Sequence, residues 1–122
     1  MTKIQLKRVY DDAEGTPSDG LRIFVDRLWP RGESKVNFHY DIWAKDIAPT
    51  DELRKWFHEN PENRWEEFRR RYLAELSESP SMAALEKRIA EEKTVTLLYG
   101  ARDTEHNNAV VVDEYLTRKL AL

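Results

Sequence analysis

The sequence predicts an α/β fold: a small, mainly parallel, Rossmann-like sheet with a long helical crossover and a C-terminal helix. Two observations carry this. The runs Leu21-Arg22-Ile23-Phe24-Val25-Asp26 and Thr94-Val95-Thr96-Leu97-Leu98-Tyr99 have the β-branched and aromatic content of strands covered on both faces. Between them lie three segments of helical periodicity, and a strand–helix–strand connection of that length is nearly always a right-handed parallel unit. Both strands then end on the same edge of the sheet.

The elements follow in order. Ile4, Leu6 and Val9 alternate only in part, so residues 3–10 are expected to form a strand. Its direction stays open, because the polar stretch Asp11 to Gly20, with Gly15, Pro17 and Gly20, suits a hairpin loop or a short crossover equally. Residues 33–48 show no clean period; Phe38, Tyr40, Ile42 and Trp43 give bulk to a folded-back loop with one helical turn. Thr50 then caps a first helix with acidic Asp51 and Glu52 in its opening turn and Leu53, Trp56 and Phe57 as its stripe. Asn60-Pro61 and Ser79-Pro80 each place a cap before a proline at the first helical position. They open a helix carrying Trp65, Phe68, Tyr72 and Leu76, and a third carrying Met82, Leu85 and Ile89 and ending near Glu92. Ala109, Val112, Leu116 and Leu120 have the spacing of a closing helix, with Asp103 or Thr104 expected as its cap. Trp43, Trp56 and Trp65 are expected in the core.

Composition bounds the function. A chain of 122 residues fits one domain, residues 1–122, as a monomer or small homo-oligomer. The net charge of -3 counts against a nucleic-acid binder that works by phosphate neutralisation. With no cysteine, thiol nucleophiles and cysteine-ligated metals are impossible, which suits a reducing cytoplasm. The amino terminus lacks the apolar core of a signal peptide, and no stretch approaches the roughly 20 apolar residues of a membrane span. The expected setting is cytoplasmic.

The glycines, at 15, 20, 32 and 100, fit neither a dinucleotide fingerprint nor a P-loop. No nucleophile elbow surrounds any serine. His39, His58 and His106 lack metal-ligand spacing, so neither a metal nor a cofactor is expected.

What remains is Asp26-Arg27-Leu28-Trp29-Pro30-Arg31-Gly32, at the carboxyl end of the first strong strand, where open α/β sheets bind ligands. Arg27 and Arg31 are suited to hold a small anion, a nucleotide or phosphorylated metabolite, or else pair structurally with Asp26, Asp46 or Asp103. Trp29 is a stacking wall or simple packing. Arg8 and Lys45 extend a basic pocket if the loop after Gly32 folds over the strand ends, and are otherwise solvated charge. Asn107 and Asn108 either orient ligand or cap the helix. Any acid–base chemistry, as hydrolysis or group transfer with a positioned water, would fall to Asp26 or Asp103. The turn after Tyr99, leading into a helix, offers free N–H groups to an anion and should lie beside this motif. The competing reading is a non-enzymatic module contacting protein or nucleic acid through the same edge or through Arg64, Arg69, Arg70 and Arg71.

Several separated motifs in order resemble one family. They are Val25 to Gly32; Trp43 with Lys45 and Ala48-Pro49; Leu53-Arg54-Lys55-Trp56-Phe57; Trp65 with Phe68 and Tyr72; and Leu97-Leu98-Tyr99 followed by Asp103 and Asn107-Asn108-Ala109. The chain resembles, over nearly its whole length, the YeaO-like group of domain of unknown function 488. The resemblance implies a small bacterial α/β protein without an established activity. It also implies that longer relatives carry a Cys-His-Arg cluster after the last strand. Here His106-Asn107-Asn108 stands instead, so thiol chemistry does not transfer.

Overall fold

The computed structural model describes residues 1–122. Four strands, β1 (Lys3–Arg8), β2 (Leu21–Phe24), β3 (Ile42–Trp43) and β4 (Thr94–Tyr99), form one sheet in the order β1-β4-β2-β3. Every pairing is parallel, which settles the direction of β1. Helices α1 (Asp51–Glu59), α2 (Pro61–Glu78) and α3 (Pro80–Ala90) make the crossover from the β2–β3 side to β4, and α4 (Asn108–Lys119) closes the chain. No helix is long and apolar enough to cross a membrane.

The period-two alternation of the central strands sorts their side chains into two cores. Leu21, Ile23, Val25, Val95, Leu97 and Tyr99 join the larger one, with Leu53, Phe57, Phe68, Tyr72, Leu76, Met82, Ile89 and Leu116 from all four helices. Phe24 and Leu98 point the other way, against Val9 and Phe38. That second face is covered by loops rather than helices. Trp29, Tyr40 and Trp43 pack on it, the Trp29 ring lying 5.3 Å from Phe38 and 5.6 Å from Trp43 in edge-on contacts.

Arg22 and Thr96 also face the loop-covered side, and both are buried. Arg22 is fully engaged: Nη1 donates to Asp19 Oδ2 at 2.6 Å, Nε to the His39 carbonyl, and Nη2 to the carbonyls of Asp12 and Ala13. Asp19 closes the set with Lys7 at 2.6 Å and the Thr16 N–H at 3.1 Å. The polar stretch 11–20 is thus the short crossover of the two readings, joining β1 to β2 on the far side of β4, with one 3-10 turn at Pro17–Asp19, and a buried ion pair pins it to the sheet.

Four local expectations are corrected. The stretch 33–48 does contain one helical turn, Lys45–Ile47, but also the edge strand β3, whose two residues are too few to set a period. Asn107, not Asp103 or Thr104, caps α4, its Oδ1 accepting the Val110 N–H at 3.0 Å. Asp103 instead accepts the N–H groups of Glu105 and His106 and so holds the preceding turn. Trp43, Trp56 and Trp65 are only half-buried. Trp56 lies under the guanidinium groups of Arg64 and Arg71, which keeps it at the surface. Thr50 and Ser79 cap their helices as expected, whereas the Asn60 side chain accepts from Asn63 Nδ2 instead of a backbone N–H.

Candidate functional site

The chain turns sharply after β2 and after β4, and the two turns meet at the carboxyl ends of the strands. Asp26 makes the junction: Oδ2 accepts the Gly100 N–H at 2.8 Å and Oδ1 accepts Asn108 Nδ2 at 3.3 Å. Its carbonyl takes the Trp43 indole N–H at 2.7 Å. Between this junction and α1 opens a cleft of about 270 Å³. Asp26, Arg27, Leu28, Trp29 and Pro30 form one wall, Arg54, Phe57 and His58 of α1 another, and Gly100, Asn107 and Asn108 a third. Phe57 and Phe68, stacked at 4.3 Å, supply an apolar floor.

Of the residues singled out in the sequence, Asp26, Arg27, Trp29, Asn107 and Asn108 line this cleft, and Arg8, Arg31, Lys45 and Asp103 do not. Arg31 is exposed and meets the site only through its carbonyl, which accepts from the Tyr10 hydroxyl. Arg8 donates to the Ala101 carbonyl, Lys45 sits over the Trp43 ring, and Asp103 is exposed, with its Oδ2 3.2 Å from Nδ1 of His106, which itself lines the cleft. Trp29 lines the cleft while held in the aromatic cluster, its indole N–H given to the Glu33 carbonyl, so little of it is free to rearrange. Asn107 is committed to α4 and to the Asp103 carbonyl.

Arg27 pairs with none of Asp26, Asp46 and Asp103. Its Nη2 reaches the Pro49 carbonyl at 3.2 Å, and its Nε stands 3.8 Å from Asp51 Oδ1, at ion-pair but not hydrogen-bond distance. Arg54 reaches the same carboxylate through Nη2 at 3.5 Å. The Nε atoms of both arginines are buried without a hydrogen-bond partner. Sequence reasoning missed Arg54, His58 and His106. Arg54 and His58 are four residues apart, hence on one helix face beside Phe57, which is the one signal that could have found them.

Burial pushes the Asp26 carboxyl up to about 6, against the opposing pull of the Gly100 N–H and the Asn108 amide. His58 is shifted the other way, by partial burial first and then by Arg54, both of which favour its uncharged imidazole. The raised Asp26 value makes its protonated form the one that favours folding. This contribution is complete below about pH 4, the ordinary carboxyl range, and is lost as the pH rises through about 6. Asp26→Asn keeps a neutral group in place. It is expected to stabilise the protein at pH 7.5 by about 1–2 kcal/mol, some of the gain from removing a buried charge being offset by a weakened bond to Gly100 or Asn108. At pH 4 the gain should vanish. Thermal melts at both pH values check this, and a lower melting temperature for the variant at pH 7.5 would refute it.

A family model described as the inactive DUF488-N3 subclade matches residues 3–122. The uncharacterized protein YeaO of Escherichia coli strain K12 is 47% identical over 113 residues, covering 93% of this chain and 96% of the relative. The uncharacterized proteins Rv3073c of Mycobacterium tuberculosis and Mb3100c of Mycobacterium bovis are each 40% identical over 115 residues, covering 94% of both chains. No solved structure matches. The chain belongs to the YeaO-like DUF488 family, with its match in the inactive N3 subclade.

Proposed function

We propose that this chain is a cytoplasmic binding protein that holds a small anionic metabolite in the cleft at the strand ends, without turning it over. The observation that carries the reading is the pair of part-exposed guanidinium groups of Arg27 and Arg54 lining that cleft, whose Nε atoms find no hydrogen-bond partner within the protein. A guanidinium N–H buried without an acceptor costs stability, and a carboxylate or phosphate oxygen entering the cleft would supply the acceptor. At about 270 Å³ the cleft falls just below the roughly 300–1,000 Å³ of sites that enclose drug-sized ligands. A small organic acid or phosphate ester is favoured over a whole nucleotide.

Binding without catalysis is supported by three things. The subclade whose model matches the chain is described as inactive. The chain has no cysteine, so the thiol that the family resemblance implies in longer relatives is missing. Asp103 lies outside the cleft, leaving Asp26 as its one carboxyl group. The nucleic-acid alternative is disfavoured by α2, where Arg69 pairs with Glu114, Arg70 and Arg71 both pair with Glu67, and Arg64 pairs with Glu59. Neutralised guanidinium groups release few counterions from a phosphate backbone.

The test is a thermal-shift and calorimetric titration with inorganic phosphate, short carboxylates and sugar phosphates. A ligand present at one hundred times its Kd should stabilise the fold by about 2.7 kcal/mol. Arg54→Gln and Arg27→Gln should each weaken it at least about tenfold, the loss expected for a charge-assisted hydrogen bond of about 1.5–3 kcal/mol. If no anion in the panel binds, or if both variants bind as the parent does, the reading is wrong.

A further inference from the structure

The proposed anion site leaves one group unexplained. Asp26 is the only acidic residue lining the cleft, and neither Arg27 nor any other cation compensates it. Its own sequence neighbour points away, Arg27 being anchored to Pro49 and Asp51 at the start of α1. The two donors that reach the Asp26 carboxylate, the Gly100 N–H and the Asn108 amide, are neutral. A carboxylate has about four acceptor positions, so about half its capacity is unspent. A charge drawn out of water without a counter-ion is costly. Hydrogen bonds from neutral groups reduce that cost, but they do not cancel the charge, and burial prevails over them in setting the proton affinity of this carboxyl.

The two incomplete groups are held by different elements. Asp26 belongs to the junction with β4 and α4, whereas Arg54 stands on α1 and the Arg27 guanidinium turns from its own wall toward the start of that helix. The same cleft has apolar lining in Phe57, Phe68 and the exposed Leu28, beside the uncharged polar atoms of Tyr10 and Trp29 and the imidazoles of His58 and His106. A ligand with an anion alone would satisfy the arginines and leave Asp26 uncompensated. A neutral polyol would fill lone pairs on Asp26 and leave its charge standing. A molecule with a cation, an anion and an apolar body meets all three groups.

Resting on the anion-binding reading above, we infer that the ligand is a zwitterion of the free amino-acid class, its ammonium group held by Asp26 and its carboxylate by Arg27 and Arg54, with an apolar side chain over Phe57 and Phe68. The cleft holds about nine water volumes at roughly 30 Å³ each, a size that suits such a molecule. Its ammonium would donate to the open positions of the Asp26 carboxylate, and its carboxylate would accept from the part-exposed guanidinium groups of Arg27 and Arg54. No bond is made or broken.

The experiment is isothermal titration of the full chain at pH 7.5 with leucine, methionine and phenylalanine. Each is matched with its deaminated acid and its decarboxylated amine, and ribose 5-phosphate is the polyol arm. At least one amino acid should bind, and both of its truncated analogues should bind at least about tenfold more weakly, the loss of one charge-assisted hydrogen bond or more. Asp26→Asn, which is expected to fold at least as well as the parent, should erase the advantage of the amino acid over its deaminated acid. If the deaminated acid or ribose 5-phosphate binds as tightly as the amino acid, the zwitterion is wrong and the anion site stands. If none of the compounds binds, both readings fall.

Discussion

Gly20→Ala is expected to abolish cooperative folding, or to cost more than about 4 kcal/mol if a folded form survives. Gly20 precedes β2 at the point where that strand meets the start of β4, in the register Leu21 with Val95. A Cβ there would stand 2.1 Å from the Thr94 carbonyl oxygen and 2.8 Å from its carbon, both backbone atoms of the central strand. Relief requires the two strands to part. The glycine also has φ 64 and ψ -135, a conformation that L residues with a side chain rarely adopt. The total stability of a small domain is about 5–15 kcal/mol, so the two penalties together approach it. Gly32→Ala is the control, because that glycine has φ 85 but nothing within 4 Å of its missing Cβ. It should cost only about 1 kcal/mol. Circular-dichroism melts of both variants decide the matter: a Gly20→Ala protein that melts within a few degrees of the parent would rule out the close approach described.

Asp19→Ala is expected to cost about 3–5 kcal/mol, the range seen when one partner of a buried ion pair is removed. Arg22 is 2% exposed and Asp19 1%, so the arginine left behind would be a buried charge without its counter-ion. The carboxylate also receives Lys7, Gln5 and the Thr16 N–H, so its loss frees the loop from 11 to 20 as well. Replacing both charges together, Asp19→Ala with Arg22→Met, should recover much of the deficit, because the methionine needs no partner. Urea denaturation of the single and double variants measures this; a double variant less stable than Asp19→Ala alone would overturn the account. The same site fixes behaviour in acid. Burial pushes Asp19 up, but Lys7, the Thr16 N–H and Arg22 together hold it below the ordinary value, while Lys7 and Thr16 hold neighbouring Asp12 at about 2. These carboxylates therefore contribute fully above about pH 4, and their contribution is lost as the pH falls toward those lower values.

Strand β4, the three crossover helices and the place where the two turns meet were legible because each rests on local chemistry. Apolar runs announce buried strands, Pro61 and Pro80 fix helix starts, and parallel strands must end together. Arg22 was not legible as a buried charge. It sits mid-strand between apolar neighbours, and its counter-ion comes from a loop whose path no periodicity describes. For the same reason Arg31 and Arg27 looked alike in sequence, although Arg27 enters the cleft and Arg31 reaches solvent: only the fold of residues 29–40 onto the outer sheet face separates them. Arg54 went unnoticed because a charged residue on an amphipathic helix is ordinarily solvated, and its Nε is buried only where α1 meets the strand ends. Asp26 was visible as a site candidate, but its lack of a cationic partner is a property of three dimensions.

The strand order has a consequence for how the molecule is made. β1 and β2 never touch; each is joined to the sheet's interior by β4, with Lys3 facing Thr94 and Leu21 facing Val95. As the ribosome releases the chain from its amino end, the first strand must wait for most of the polypeptide before its partner exists. Such distant pairings are slow to form, since loop closure is paid before contact rewards it. Gly100, which bonds to Asp26, directly follows β4. The act that completes the sheet thus also brings the two halves of the cleft together, so a partly synthesised chain has neither a finished core nor a formed cleft.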